Sequence, residues 1–188
     1  LGGLCEIYIK TNDKKFLQAA ISIKNWLFQM TAKESDTIIG FHEFYSNNQK
    51  SQKIFPYESI CIPFILLKFQ KELELTQLEI KQLLDSVQWG IKSQTADGYF
   101  PFFYSLEKKQ FNKTAYSHFT IYPLYNLMGF PLAELDKLGS VNCFESYQKG
   151  VDWITKVQES DGGLYTYYFD NEHVWHQQSP AVAQALCS

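Results

Sequence analysis

Three tryptophans recur at a nearly constant interval, and this spacing constrains the fold more than any other feature of the sequence. Trp26, Trp89 and Trp153 are 63 and 64 residues apart. Each lies late in a stretch whose apolar residues recur at helical spacing. Self-similarity at a fixed interval is typical of repeat architectures, in which one supersecondary unit is stacked several times. The sequence therefore predicts a helical repeat protein.

The residues that follow two of these tryptophans match position by position. After Trp89 and Trp153, Gln comes at the fifth position, Asp at the eighth and Gly at the ninth, whereas the match after Trp26 is looser. We expect each helix to end at its Asp-Gly pair, because glycine readily adopts the left-handed conformation of a terminal turn. In this context, turn formation is the expected role of Asp97 and Asp161.

Each repeat continues with an aromatic stretch and then with an apolar stretch that contains a proline. The aromatic stretches favour β-strands, and the polar residues after them predict hairpin turns. The proline-containing stretches are apolar nearly all round, which is typical of buried helices. We expect Pro63, Pro123 and Pro180 to lie in the first turns of these inner helices, where a missing N–H is tolerated. The tryptophan-bearing stretches are amphipathic and should form outer helices.

The repeating unit is thus an outer helix, an aromatic hairpin and an inner helix. We expect one domain over residues 1–188 with an all-α fold, an α/α toroid or partial toroid of about seven helices joined by short aromatic β-hairpins. The alternative is a helical bundle or a tetratricopeptide-like solenoid, which the absent 34-residue period and the aromatic hairpins disfavour. Because the chain begins without methionine and ends inside an apolar helical pattern, we expect it to belong to a longer polypeptide with further domains.

Charge and composition exclude several classes of function. A net charge of −3 provides no electrostatic footprint for nucleic acid or an anionic membrane. No apolar run is long enough to span a membrane and no signal peptide is visible, which leaves the compartment open. The four cysteines lie far apart without a CxxC pair, so we expect free structural thiols rather than a zinc ribbon. We expect no metal and no cofactor.

One segment resembles the repeat of squalene and terpenoid cyclases. The stretch from Lys149 to Leu164 follows their order of basic, small, aromatic and aliphatic residues, then Gln and Gly, but Leu164 replaces the usual final aromatic residue. The aspartate-rich motif of the class II cyclases is missing. The resemblance implies, as an alternative function, a terpenoid-cyclase-like or prenyltransferase-like toroid with a closed apolar cavity, and the missing motif counts against that chemistry.

Two other segments resemble sugar-processing α/α toroids, namely uronyl hydrolases, polysaccharide lyases and sugar epimerases. Residues 8–29 look like their recurrent helix pair, and residues 175–188 are similar to a stretch in the helical C-terminal domain of glucuronyl epimerases. This resemblance implies a carbohydrate-active domain of epimerase, lyase or hydrolase type whose partner is an oligo- or polysaccharide containing uronic acid.

A third alternative is a non-catalytic helical-repeat binding domain. The mouth of such a domain would carry no pair of ionisable side chains that point toward each other.

The resemblance also implies where chemistry would occur, because hairpins and inner-helix N-termini of such toroids converge on one mouth. The candidate catalytic residues at this mouth are His118, His176, Glu58 and Tyr116. Histidine and tyrosine can exchange a proton alpha to a carboxylate, and glutamate can act as the acid in glycoside hydrolysis. Glu58 and His118 each lie five residues before an inner-helix proline.

Aromatic residues of the hairpins are expected to form a platform at the same mouth. The candidate substrate-binding residues are Tyr45, Tyr104, Tyr167, Trp175 and His42, with Phe41, Tyr99, Phe102 and Tyr165 as further rings. Because side chains alternate along a strand, about half of these rings should point into the core. Sugars and isoprenoids both pack on aromatic rings, so the rings alone do not decide between the two classes.

Overall fold

The computed structural model describes residues 1–43, 49–129, 139, 142–169 and 172–173. These residues contain six helices and eight short strands. The helices are α1 (Gly2–Thr11), α2 (Lys14–Gln29), α3 (Pro56–Lys68), α4 (Gln77–Lys92), α5 (Ser117–Met128) and α6 (Cys143–Val157). The strands are β1 (Thr31–Glu34), β2 (Thr37–Phe41), β3 (Lys53–Ile54), β4 (Tyr104–Ser105), β5 (Gln110–Phe111), β6 (Thr114–Tyr116), β7 (Tyr167–Phe169) and β8 (Glu172–His173).

Inner and outer helices differ in how they begin. The amphipathic helices α2, α4 and α6 each have a side-chain cap, from Asp13, Thr76 and Asn142 respectively. Such caps satisfy N–H groups that have no partner within the helix. The apolar helices α3 and α5 begin without a side-chain cap. They pack against each other, α3 also packs on α4, and α5 packs on α6, as expected for inner and outer layers.

The two matching turns after Trp89 and Trp153 have the same structure, which confirms the internal repeat. The Nε2 of Gln94 donates to the carbonyl of Gly98 over 2.8 Å, and the Nε2 of Gln158 donates to that of Gly162 over 2.9 Å. The two glycines have φ angles of +104° and +86°, in the region that favours glycine. The helices end slightly before these turns, at Lys92 and Val157.

The three tryptophans occupy matching places in their helices but differ in burial. Each lies three or four residues before the end of α2, α4 or α6. The exposed fraction of the side chain is 47 % for Trp26 and 1 % for Trp153, and Trp89 is half-buried. The expectation of equivalent helical positions is therefore confirmed, whereas their surroundings change from the first repeat to the last.

The first repeat departs from the expected order of helix, Asp-Gly turn and aromatic hairpin. Helix α2 ends at Gln29, and the hairpin β1–β2 follows at once, with Asp36 in its turn rather than at a helix end. The stretch from Thr31 to Phe41 is rich in β-branched residues, which favour strands. Gly40 lies inside β2, so the looser match after Trp26 reflects a different local structure.

Short strands connect consecutive repeats at one end of the inner helices. Strand β3, before α3, pairs with β4, which follows α4. In the same way β6, before α5, pairs with β7, which follows α6. Each of these sheets is completed by a hairpin, β4–β5 or β7–β8. All the pairs are antiparallel. The strands therefore bring the aromatic stretches to the N-termini of α3 and α5.

The prediction that prolines start the inner helices is wrong for the two that the structure describes. Pro63 lies inside α3 and Pro123 lies inside α5, while Pro180 lies outside the described residues. A proline inside a helix frees the carbonyl four residues earlier. For Pro63 this is the carbonyl of Ser59, and the Ser86 hydroxyl on α4 donates to it over 3.1 Å. A neighbouring helix thus supplies the lost hydrogen bond.

We expect Ser86→Ala to lower the free energy of unfolding by about 1–3 kcal/mol, because the buried carbonyl of Ser59 would lose this donor. Chemical denaturation of the variant and the wild type measures the difference. Ser22→Ala is the matched control, since the Ser22 hydroxyl is exposed and bonds a carbonyl of its own helix, that of Gln18. Equal effects of the two substitutions would contradict the assigned role of Ser86.

Within the described residues, no helix combines the length and the apolar character needed to cross a membrane. The cysteines Cys5, Cys61 and Cys143 are free thiols, as expected for them, and Cys187 lies outside the described residues.

Candidate functional site

The N-terminal turns of α3 and α5 bring Glu58 and His118 to corresponding places. Glu58 is the third residue of α3 and His118 is the second residue of α5. Each precedes the internal proline of its helix by five residues. The first residues of both helices follow a strand, β3 or β6. The two side chains therefore start from the same end of the inner layer.

Aromatic rings form a continuous layer between these two helix ends. We call it the mouth cluster, and its members are Phe55, Tyr57, Phe102, Phe103, Tyr116, Phe119 and Tyr167. The ring of Tyr57 stacks on that of Phe119 with centroids 4.1 Å apart. Tyr116 lies 4.0 Å from Phe102 and 3.8 Å from Tyr167 between ring centroids. All members except the buried Phe55 are half-buried, so the cluster presents ring surface.

Glu58 lies beside this cluster in a setting that changes its acidity. The Tyr57 hydroxyl donates to Oε1 of Glu58 over 3.0 Å. Burial raises the pKa of Glu58 to about 7, and the negative charge of Glu43 also raises it, while the hydrogen bond from Tyr57 lowers it. A carboxyl group with a pKa near 7 can both accept and release a proton near neutral pH.

His118 and Tyr116 add two more proton-carrying groups. Nδ1 of His118 is buried and has no hydrogen-bond partner among the described residues. Burial lowers the pKa of His118, which favours the neutral imidazole. Burial and a hydrogen bond with Tyr167 raise the pKa of Tyr116, so its hydroxyl keeps its proton. The His118 ring centroid is 5.8 Å from that of Tyr116 and 4.2 Å from that of Phe119.

Other candidate residues lie elsewhere or outside the described part of the chain. The Tyr104 side chain is only 7 % exposed, and its hydroxyl donates to Glu34 over 3.1 Å, so it has little surface to offer a ligand. Nδ1 of His42 is 2.8 Å from the carbonyl oxygen of Ser51. Tyr45, Trp175 and His176 lie outside the described residues.

The hairpin rings divide between core and mouth, as alternation along strands predicted. Phe41 and Tyr99 are buried like Tyr104, and half-buried Tyr165 packs against the core, whereas half-buried Phe102 and Tyr167 belong to the mouth cluster. Sequence reasoning did not select Phe55, Phe103 and Phe119, although they complete the mouth cluster. The available signal for Phe119 was its place directly after His118, in the first turn of an inner helix.

A hollow of about 410 Å³ lies between the inner helices and reaches the mouth at Tyr57. Its lining is mainly apolar, with Cys61, Tyr122 and Asn126 among the residues that carry polar atoms. The Asn126 amide donates to the sulfur of Cys61 over 3.2 Å. In the described parts of the chain, no group of three or more His, Cys, Asp or Glu side chains is arranged to hold a metal ion.

The raised pKa of Glu58 predicts a measurable dependence of stability on pH. The folded chain holds the Glu58 proton up to about pH 7, whereas the unfolded chain releases it near the ordinary value of 4.5. The folded state therefore binds more protons between these values, and the stability that Glu58 contributes falls as pH rises through this window. At pH 8, Glu58→Gln should be more stable than the wild type by up to roughly 3 kcal/mol.

Thermal or chemical unfolding between pH 4 and pH 8 measures this effect. The stability advantage of Glu58→Gln over the wild type should disappear near pH 4, where the native Glu58 side chain is also neutral. Glu107→Gln, in the exposed turn between β4 and β5, is the matched control and should follow the wild-type profile. A constant offset at every pH would show that Glu58 titrates normally.

No family model matches the chain, and a search of the curated proteins finds no significant match. Solved structures do match. The chain aligns over 98 % of its length with 50 % of a cellobiose 2-epimerase from Bacillus thermoamylovorans, with a TM-score of 0.74 and 11 % identity. It aligns over 97 % with 51 % of a possible GH105-family member from Salmonella enterica serovar Paratyphi A, with a TM-score of 0.65 and 13 % identity. It also aligns over 92 % with 45 % of a D-mannose isomerase, with a TM-score of 0.63 and 13 % identity.

At these identities the likeness is one of fold, and the chain spans about half the length of the solved structures that it matches. The expected resemblance is thereby confirmed as a likeness in fold to a cellobiose 2-epimerase, a possible GH105-family member and a D-mannose isomerase.

Proposed function

We propose that this chain forms an arc of an α/α toroid and that its mouth binds and transforms a uronic-acid-containing oligo- or polysaccharide. The observation that carries the proposal is the convergence of half-buried Glu58, Tyr116 and His118 on one layer of aromatic rings at two inner-helix N-termini. The fold similarity to a cellobiose 2-epimerase, a possible GH105-family member and a D-mannose isomerase supports a sugar as the ligand.

Proton transfer at a sugar carbon suits this set of groups. With its pKa near 7, Glu58 can remove a proton from the carbon alpha to a carboxylate. Protonated Tyr116, or a proton relayed through His118, can return one to the opposite face. After the step Glu58 holds the removed proton and Tyr116 has lost its own, so exchange of both groups with water restores the starting state and no other co-reactant is needed. Hydrolysis would instead need a second carboxylate, for which Glu43 is a candidate, since its charge acts on Glu58.

Several features of the mouth favour an anionic sugar. Half-buried rings such as Phe102 and Tyr167 can stack on the C–H faces of a pyranose. Helix α5 begins without a side-chain cap and has no acidic residue in its first turn, so its N–H groups can attract a carboxylate. The ammonium of Lys53 lies 4.6 Å from the centroid of Phe103 and places a positive charge at the edge of the cluster.

The proposal is tested by incubating the chain with paired neutral and uronic-acid-containing oligosaccharides in heavy water. Deuterium incorporation at a ring carbon without chain cleavage would identify an epimerase. A new unsaturated sugar would identify a lyase, and new reducing ends without an unsaturated sugar would identify a hydrolase. We expect turnover of the uronic-acid series, weakened in Lys53→Met. If neither series binds or turns over, the carbohydrate function is wrong.

A further inference from the structure

The hairpin β4–β5 and the adjacent strand β3 enclose a second hollow beside the mouth cluster. Its volume is about 300 Å³, at the lower end of the range of about 300–1,000 Å³ that ligand pockets in proteins occupy. The ring of Phe103 lines this hollow. The same ring belongs to the mouth cluster, where its centroid lies 5.5 Å from that of Phe102. The hollow and the mouth therefore share one aromatic ring and lie next to each other.

Strand pairing explains why polar side chains line this hollow. In the antiparallel sheet, Lys53 lies opposite Ser105, and Ser105 lies opposite Gln110. Residues paired in this way project from the same face, so the three side chains form a row across the sheet. The adjacent pair, Ile54 and Tyr104, is buried. Because side chains alternate along a strand, burial of this pair turns the polar row away from the core.

The hairpin holds hydrogen-bond donors in a fixed backbone. Oδ1 of Asn112 accepts from the N–H of Thr114 over 2.7 Å, which among the described residues leaves the amide N–H groups of Asn112 as donors for a ligand. The backbone N–H of Asn112 donates to the carbonyl of Phe103 over 2.8 Å, and that of Lys108 donates to the Ser105 hydroxyl over 3.1 Å. A wall that is already ordered lowers the entropic cost of binding.

The segments that build the hollow are basic, although the chain as a whole is acidic. Residues 50–53 and 105–113 carry five lysines and one glutamate, whereas the net charge of the chain is −3. Two of these lysines, Lys53 and Lys108, line the hollow and are exposed. Clustered cations attract an anion, while amide groups and an aromatic ring suit the hydroxyl groups and the C–H face of a pyranose. The lining therefore matches a sugar that carries a carboxylate.

We propose that this hollow is a second sugar subsite, which binds a further uronic acid residue of the chain whose neighbouring residue occupies the mouth. We call it the hairpin subsite. Lys108, Gln110 and Asn112 form its wall, and Lys53 and Phe103 form its border with the mouth. The natural ligand is then longer than a disaccharide, and its affinity increases with chain length. This inference rests on the proposed function, because it takes the mouth as the site of the neighbouring sugar residue.

Calorimetric titration with oligomers of galacturonic and of glucuronic acid, from disaccharide to tetrasaccharide, tests the proposal. We expect the wild type to bind the responsive tetrasaccharide about tenfold more tightly than its disaccharide. Methyl esterification of the carboxylates should abolish this difference, and added salt should reduce it. Lys108→Met should weaken the tetrasaccharide by about two- to fivefold, the effect of one exposed ion pair, and leave the disaccharide unchanged. Lys109→Met is the matched control, since Lys109 is exposed on the same turn outside the lining and the variant should bind as the wild type does.

Three results would each overturn the hairpin subsite: equal affinities for disaccharide and tetrasaccharide, equal effects of Lys108→Met and Lys109→Met, or a disaccharide weakened by Lys108→Met. Turnover of the disaccharide without a gain from chain length would remove the subsite and leave the proposed function standing. Tetrasaccharide binding that depends on Lys108, with no binding or turnover of the disaccharide, would support the subsite and contradict the proposed function of the mouth. If no oligomer binds, both are wrong.

Discussion

Replacing Glu58 with glutamine is expected to lower kcat/KM on the responsive sugar by about a hundredfold or more, the typical contribution of a general acid–base group. Glutamine has the same shape and can still accept the hydrogen bond from Tyr57, but it cannot take up a proton. Sugar affinity should therefore change little. Because the same variant should be more stable than the wild type at pH 8, unfolding cannot account for the loss.

The pH profile gives this prediction a second readout. If Glu58 acts as the base, wild-type kcat/KM should rise with pH and level off above its pKa of about 7. Glu107→Gln carries the same chemical change on an exposed turn and should keep wild-type activity. Full turnover in Glu58→Gln, or a profile that is flat across neutral pH, would remove Glu58 from the mechanism.

Replacing Gly98 with alanine is expected to lower the free energy of unfolding by about 3 kcal/mol or more, among the largest effects of a single substitution. The added Cβ would lie 2.1 Å from the carbonyl oxygen of Lys149 and 3.1 Å from Cβ of Trp153, and the φ angle of +104° is already unfavourable for alanine. Backbone atoms of α6 cannot move aside without separating the turn from the helix. Urea denaturation of the variant measures the loss.

Gly162→Ala is the matched control for this effect. Gly162 occupies the same position in the next turn and has a φ of +86°, but its nearest contact would be the Gln158 amide at 3.9 Å. Among the described residues only the backbone strain remains, so we expect a loss of about 1 kcal/mol. The difference between the two losses of unfolding free energy measures what the close contact between the Gly98 turn and α6 contributes to stability. Equal losses would show that this contact contributes nothing.

The repeat was predictable because its signals are local. Gln94 and Gln158 make bonds within five residues of themselves, so spacing alone revealed the two turns. The prolines were misplaced because the partner that makes Pro63 tolerable inside α3 is Ser86, on another helix. No pattern near residue 63 indicates that hydroxyl. In the first repeat a hairpin rich in β-branched residues follows α2 directly, so no Asp-Gly turn of the kind found in the other two repeats separates helix and hairpin.

The residues of the site that lie at the start of an inner helix were predictable from the sequence. Glu58 and His118 were chosen by their distance from a proline, and the structure places both in the first turn of an inner helix. Which rings share the mouth was not predictable, because strand β4 is only two residues long and alternation cannot be extended across the irregular residues before it. Tyr104 was therefore chosen on equal terms with Tyr167, although only Tyr167 contacts Tyr116.

The pairing of β3 with β4 and of β6 with β7 determines where this protein could be cut or extended. Each ladder joins strands from consecutive repeats, so removing or duplicating a unit at the hairpins would leave a strand edge without its hydrogen-bond partner. The connection between α3 and α4, with its exposed Lys71 and Glu74, contributes no strand to these ladders. The new chain ends of a circular permutant, an inserted tag or a grafted repeat should therefore be placed at the exposed residues of this connecting loop.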